Sequence, residues 1–480
     1  MSREGERFRG PFGLGRWSGL LALGVIVCVA PAGGATRAET LQSALVKAYR
    51  NNPSLNSERA SVRATDENVP QALSGYRPKV TVTATGGEQS ISSTTKSVTA
   101  GVPAYSTNSG YNSPFSTSIS ASQTLFNGFQ TANKTRKAES QVLAARATLR
   151  NTAQTVLLDA VTAYMNLLRD TAIVKLQKSN VEVLQEQLRQ TRDRFNVGEV
   201  TRTDVAQSEA SLAGGRSQLL TAESNYTTSA AAYRKVIGTE PGKLMPTSPV
   251  DRFSPHTLAR AVAVGIATNP SVAAAEYNVD VAQLAVKVAE GALLPSVSVT
   301  GSYTKNWLST SSLASMESDY ASVFGTVSVP IYQGGSEYST IRQDKETLGQ
   351  KRLDLDTTRD TVRQSVVQSW GQLEAAKANI QATQSQVQSS EIALNGVREE
   401  ARVGQRTTLD VLNAQQALVN ARVSLVSAQR DRVVASYTLL SAVGRLSPRM
   451  LGLHVATYDP KVHYEQVRDS WFGMRTPDGR

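Results

Sequence analysis

The sequence predicts an α+β membrane protein built from a duplicated helix–strand hairpin–helix unit. Its strands would complete a β-barrel, and its long helices would continue that barrel as a coiled-coil tube. Three observations carry this prediction. Short motifs recur at two constant offsets, the hydrophobic period falls from 3.6 to 2 in two matched places, and tracts without proline or glycine run for the length of several ordinary helices.

The chain has 480 residues, of which 40% are hydrophobic and only 6% aromatic. That is lean for a compact globule and suits long helices whose apolar residues form narrow seams. Residues 1–38 read as an export signal: Arg3, Arg7, Arg9 and Arg16 form a basic head, and Trp17 to Val29 form an apolar run short for a membrane span. Cleavage is placed after Ala38, with Ala35 the alternative site and an uncleaved anchor helix the alternative reading. Cys28, the single cysteine, lies inside this signal behind Val27, not behind the small residue a lipid-anchor site needs. The mature chain would then have no disulfide, and its stability would come from packing and assembly. Its basic residues are scattered along helical tracts without interleaved aromatics, which fits solvated helix faces and not nucleic acid.

The duplication is read from offsets. Asn-Pro at Pro53 and Pro270 recurs at 217 residues, as do Pro78 and Pro295. Gly128 and Gly334, Gly198 and Gly404, and Gly238 and Gly444 recur at 206. The 11-residue change falls between residues 78 and 125, where a strand hairpin would carry a loop. The first repeat is therefore placed at 39–246, the second at 247–446, and a tail at 447–480. A period near 200 residues marks a duplicated domain-sized unit and not a solenoid.

Each unit opens with a short helix, 40–50 and 257–267, and Asn-Pro then caps and starts a second helix running to about Leu73 and Leu293. Strand hairpins follow at about 79–126 and 296–331. Val80, Val82 and Ala84 alternate with threonines; Val297, Val299, Gly301 and Tyr303 alternate with serine and threonine. The return strands alternate as Phe115, Ile119, Ala121, Leu125 and as Val323, Val327, Val329, Ile331. Ser/Thr/Gly-rich loops are expected at about 86–114 and 304–320. Such strands make half of a sandwich in a soluble protein, and in an exported one a barrel wall, apolar to lipid and polar to the lumen.

From Thr131 to Asn196 there is neither proline nor glycine, a tract of roughly 100 Å at about 1.5 Å per residue. It ends in the spaced seam Val181, Leu184, Leu188, Thr191, Phe195, matched by Val387, Ser390, Leu394, Val397, Ala401. After the turns, tips at 197–204 and 403–410, the chain returns with seven-residue stripes: Val205, Leu212, Leu219, Tyr226, Tyr233, then Val411, Leu418, Leu425, Leu439, with Arg432 interrupting. These seams predict antiparallel coiled-coil hairpins. Gly214 and Gly215 fall mid-helix, where close helix approach is the one reason in view. Four strands cannot close a barrel, and an open edge in lipid leaves backbone amides unpaired. The strands therefore demand an oligomer, and three copies give a barrel of about twelve strands.

The run TAYMNLLRD at 162–170, the turns RFNVGEVTRTDV and ARVGQRTTLDVLNAQ, and the Leu-Pro and Asn-Gly brackets around the hairpins resemble the TolC family of outer-membrane efflux and secretion ducts over residues 39–446. The tail at 451–473 resembles members of the type I secretion subfamily. The resemblance implies a homotrimer in the cell outer membrane, extending into the periplasm, with a passive channel gated at its periplasmic tip. It also implies a periplasmic adaptor and an inner-membrane ABC or proton-driven transporter as partners, and drugs or secreted proteins as cargo. The adaptor-docking tips carry over to Val197-Gly198-Glu199 and Val403-Gly404-Gln405, which lack the family's apolar third residue. The aperture carries over to Asp410 and Asn413, where a second acid is missing. The latch carries over to Arg406 with Thr203, Asp204 nearby, and Ala401 where a tyrosine usually stands. Asp204 and Asp410 also stand where an acid caps a helix, and the two roles are compatible; Arg406 is otherwise a solvated charge.

The alternative reading is an exported coiled-coil adaptor or scaffold without a pore, against which the paired strand hairpins argue. No enzyme is expected, and no cofactor or metal: His256, His454 and His463 are the only histidines, and no phosphate loop or nucleophile motif accompanies them.

Overall fold

The computed structural model describes residues 39–310, 315–477 and 479. The export signal, its cleavage position and Cys28 lie outside them. The chain begins with α1 (Leu41–Asn51), α2 (Pro53–Asp66) and α3 (Asn68–Leu73). Asn52 caps α2 as its composition predicts, its Oδ1 accepting from the Ser54 and Leu55 amides at 3.0 and 3.3 Å. The helix expected to run unbroken to Leu73 parts at Glu67, because Pro70 has no N–H to return to the Asp66 carbonyl. In the second half, α6 (Leu258–Thr268) leads through the Asn269 cap into an unbroken α7 (Pro270–Gly291).

The strands are longer than their sequence promised. β1 (Lys79–Gly86) and β2 (Gln89–Thr99) both pair antiparallel with the single long strand β3 (Val102–Asn127), in one continuous register. Pro114 faces the break between β1 and β2; it accepts from the Gly87 amide at 3.2 Å but has no N–H to return. β4 (Ser296–Thr310) and β5 (Ser315–Ser328) form the second hairpin, and β3–β4 joins the two into the order β1-β3-β4-β5. The expected loops at 86–114 and 304–320 are thus corrected to paired strand over most of their length. Alternating Ser and Thr are competent strand residues, and Ala100 and Gly101, at φ 53° and 84°, close the first hairpin in two residues. Above the Asn112–Thr310 pair, β2 and the start of β3 stand as a two-stranded ribbon.

The registers put Val80, Val82, Ile119, Ala121, Val299, Tyr303, Val323 and Val327 on one face. On that same face the Phe115 and Trp307 rings lie 5.3 Å apart, beside the ion pairs of Lys305 with Glu317 and Asp319. The opposite face is built mainly of serine and threonine. Leu125 leaves the alternation, since the register shifts between Thr124 and Phe126 and brings Phe126 opposite Val297.

The long helices are α4 (Gln130–Asn196) and α8 (Ser336–Arg402), each of 67 residues, returning as α5 (Arg202–Ile237) and α9 (Thr408–Ala442). Val181, Leu184, Leu188, Leu212 and Tyr233 are buried along the first hairpin; Leu394, Val411, Leu418 and Leu439 are buried along the second. Phe195 and Tyr226 stay exposed, against the stripe. Arg432 breaks the stripe because it forms a two-pronged pair with Asp251 in the segment joining the two halves. Gly215 lets Leu184 approach: a Cβ there would meet Leu184 Cδ1 at 2.7 Å, whereas nothing in the structure explains Gly214.

The main core lies at mid-length, where α1 and the ends of α5 and α9 meet α4 through Leu45, Leu157, Tyr164, Tyr233, Ile237 and Leu440. Tyr164 sits in the TAYMNLLRD run. Its hydroxyl accepts from the Met245 amide at 3.0 Å and lies 2.7 and 2.8 Å from the Met245 and Glu39 carbonyls, fastening the first described residues to the linker between the halves. The tail, with α10 (Pro460–Val467), folds back on α2 and α4: His463 Nδ1 lies 3.1 Å from the buried Asp66 carboxylate, and Arg146 stacks on Tyr464 at 5.0 Å.

Candidate functional site

The two helical hairpins end in turns of the same construction. Each outgoing helix stops at a valine, Val197 or Val403, and the next residue, Gly198 or Gly404, takes φ of 79° or 81°, a conformation that costs other residues strain. A charge pair then clips the turn, Arg194 to Glu199 and Arg406 to Glu400, each at 2.8 Å. Each return helix starts with a capping box. Thr201 accepts from the Asp204 amide at 3.3 Å while Asp204 Oδ2 accepts from the Thr201 amide at 2.9 Å and hydroxyl at 2.7 Å. Thr407 and Asp410 repeat this at 3.2, 3.0 and 2.9 Å.

The caps set the tip electrostatics. The Thr201 hydroxyl, then its amide, hold the Asp204 carboxyl below its ordinary pKa, and the Thr407 amide, then its hydroxyl, do the same for Asp410. The Glu400 carboxylate raises Arg406 further above its already high value. The aspartates expected to cap the return helices are therefore not the caps themselves: Thr201 and Thr407 hold that position, and Asp204 and Asp410 complete each box from the third helical residue, where their carboxylates reach back to the cap amide.

The sequence-predicted tip residues Val197, Gly198, Glu199, Val403, Gly404 and Gln405 are all exposed, as are Thr203, Arg406 and Asn413. Asp410 and Asn413 stand three residues apart on the first turn of α9. Arg406, matched by resemblance to Thr203, is held by Glu400 at the end of α8; among the described contacts none joins it to Thr203 within the chain. The local ion pair forms at a six-residue separation and needs no approach of the other hairpin.

Sequence reasoning missed the residues that join the hairpins. Leu412 of α9 enters the cluster Val181, Leu184, Leu188 and Leu212 of the first hairpin. Beside it, Gln415 donates to Asn180 Oδ1 at 3.3 Å and accepts from Arg398 at 3.0 Å. The available signal was a glutamine four residues beyond Val411, in line with a helical seam. Next to this contact a cavity of about 560 Å³ opens between the hairpins, lined by Glu182, Glu186, Arg194, Arg398 and Arg402 among others.

The described residues hold no cluster of His, Cys, Asp and Glu fit for a metal ion, and no single helix among them is long and apolar enough to cross a membrane. A strand wall is subject to neither test.

A family model described as "outer membrane efflux protein" matches residues 44–239 and 265–445. The chain is 45% identical over 449 residues to the outer membrane efflux protein BepC of Brucella suis biovar 1 (strain 1330), covering 93% of this chain and 94% of that protein. It is 26% identical over 443 residues to the outer membrane protein TolC of Escherichia coli (strain K12), covering 88% and 86%. Among solved structures, the outer membrane protein VceC of Vibrio cholerae superposes with a TM-score of 0.71 at 18% identity, over 84% of this chain and 96% of that one.

Proposed function

The chain belongs to the outer membrane efflux protein family, and we propose that three copies of it form one duct, its sheets closing into a barrel of about twelve strands. It is an outer-membrane exit duct of tripartite export, extending into the periplasm. The observation that carries the trimer is the sheet itself. One face is apolar, the other is mainly Ser/Thr, and among the described residues β1 and β5 each keep an edge with no strand against it. Lipid does not tolerate such edges, and pairing β5 of one copy with β1 of the next removes both at once. The apolar face then meets lipid and the other face meets the lumen.

The helical hairpins continue the barrel into the periplasm. The tips close the far end, with Asp410 and Asn413 at the aperture and Thr203, Asp204 and Arg406 beside it. Val197-Gly198-Glu199 and Val403-Gly404-Gln405 present exposed valines to a periplasmic adaptor, which couples the duct to an inner-membrane ABC or proton-driven transporter. Drugs or secreted proteins are the cargo, and the energy comes from the pump. Such a duct has no need of catalytic groups or a cofactor.

Planar-bilayer recording of the purified protein tests this reading. The expected result is a trimer-sized channel of low conductance that rises when Arg406→Ala frees Glu400 at the tip. A protein that never conducts, even as Arg406→Ala, would be a scaffold and not a duct.

A further inference from the structure

A cavity of about 440 Å³ lies where the tail crosses α2, α4 and the junction of α6 with α7, away from both the sheet and the tips. Its back wall is α4, which packs against α2 and against α7 of the same chain. The lining is largely aliphatic, with Leu55, Leu143, Leu149, Ala153, Pro270 and Pro448 facing it. Arg59 already stacks on the Tyr49 and Tyr458 rings at 4.7 and 5.6 Å, so a guanidinium occupies those rings. Arg146 and Arg150, four residues apart, share a face of α4, and the contact of Arg146 with the Pro460 carbonyl at 3.4 Å brings Lys461 to the same cavity. The side chains of Arg150 and Lys461 are exposed and pair with nothing among the described residues. Asp459 is the one carboxylate among the described lining residues, and its Oδ1 accepts from the Lys461 backbone amide at 2.9 Å. The Tyr458 hydroxyl and Arg146 Nε are shut off from solvent with no hydrogen-bond partner.

A cavity of this size takes a small molecule and not a folded partner. Its aliphatic lining suits an alkyl chain, and its unpaired cations and unpartnered donors call for one anionic head. We propose that it binds a fatty-acid-like amphiphile, the carboxylate between Arg150 and Lys461 and the chain along Leu55, Leu149 and Pro270. The carboxylate also offers the Tyr458 hydroxyl and Arg146 Nε an acceptor that the protein does not. A bound molecule of this kind bridges α4 to the tail. The site is complete within one chain, so it goes beyond the duct reading and stands independently of it.

The test is photo-crosslinking of the full-length protein in a non-ionic detergent, with dodecanoic acid carrying a diazirine on its chain and the labelled peptides read by mass spectrometry. Cavity peptides, from residues 143–154 and 446–461, are expected to carry several-fold more label than peptides of β3 and β5, which report unspecific uptake from the detergent. Unlabelled dodecanoate should clear the cavity label, whereas dodecanol and dodecyltrimethylammonium at the same concentration should not. In Arg150→Gln/Lys461→Gln the cavity label is expected to fall about tenfold while the strand label stays unchanged. Arg150→Lys/Lys461→Arg, which keeps both charges, should retain it. Equal label in cavity and strands would make the cavity a packing void and overturn the proposal. So would clearance by dodecanol as effective as by dodecanoate, or a glutamine variant that labels like its parent. Equal loss in both double variants would show that the shape of the mouth and not its charge governs entry, and would overturn it too. None of these outcomes depends on whether the protein conducts.

Discussion

Gln415 of α9 donates its side-chain amide to Asn180 of α4 at 3.3 Å, across a separation of 235 residues, and the pair joins one helical hairpin to the other near their tips. Arg398 fixes the remaining Gln415 oxygen at 3.0 Å, and Leu412 fills the apolar pocket alongside. These contacts hold the second hairpin against the first, and in the proposed duct they would set the resting position of the gate. Gln415→Ala removes a buried hydrogen-bonded amide and should cost about 1–2 kcal/mol. Leu412→Ala should cost about 2–3 kcal/mol by leaving a cavity. Both should raise bilayer conductance and speed protease cleavage at the tips; parental conductance together with parental resistance in both variants would remove this contact from the gate.

The capping boxes make the tips acid-sensitive. Asp204 and Asp410 have depressed pKa values in the folded tip, so their stabilisation is complete above the ordinary carboxylate value and is lost as pH falls through the depressed one. Protection of the Asp204 and Asp410 amides against exchange, taken relative to an unfolded chain at the same pH, should be high at neutral pH and fall as pH drops below about 4. Asp204→Asn and Asp410→Asn should flatten that dependence. A steep acid response surviving in the double variant would place the sensor elsewhere.

Asp410 also carries the charge assigned to the aperture. Both capping bonds to its carboxylate fall on Oδ2 and hold its pKa below the ordinary value, so the group is ionised at neutral pH. In the proposed trimer, three such carboxylates would meet at the aperture. Asp410→Ala should therefore weaken block by trivalent cations about tenfold or more, whereas Asp410→Glu should largely retain it. Equal block in the parent and the alanine variant would move the constriction away from this residue.

Two glycines 206 residues apart should respond differently to the same change. Gly128, at φ 63°, leaves no room: a Cβ would lie 2.1 Å from the Gly291 carbonyl oxygen where β3 passes the end of α7. Gly334, at φ 70°, has nothing within 4 Å of that position. Gly334→Ala should cost about 1–2 kcal/mol from backbone strain alone, while Gly128→Ala adds a backbone clash and should destabilise the fold further, lowering its melting temperature well below that of Gly334→Ala. Similar melting of the two variants in detergent would show that the β3–α7 approach relaxes freely.

Much of this molecule is local, and local features were legible. Asn52 and Asn269 before proline mark helix starts because an amide side chain and a missing N–H suit those positions. The Val-Gly turns and the proline-free tracts of α4 and α8 follow from short-range hydrogen bonding and helix propensity, whereas the threonine caps went unread because an aspartate three residues on is also a favoured cap. The strand limits were legible only in part. Serine and threonine between residues 86 and 114 suit a loop or a ribbon equally, and the two-residue turn at Ala100-Gly101 decides between them.

What the sequence by itself determined is the period of each segment, the places where helices begin and end, and the recurrence of one pattern in two halves. The tertiary structure alone decided which distant residues meet: Gln415 with Asn180, Arg432 with Asp251, and His463 with Asp66. A repeating pattern shows which side of an element is apolar, because burial follows the geometry of a single helix or strand. It does not show what lies opposite, because that depends on how whole elements are registered and packed against one another.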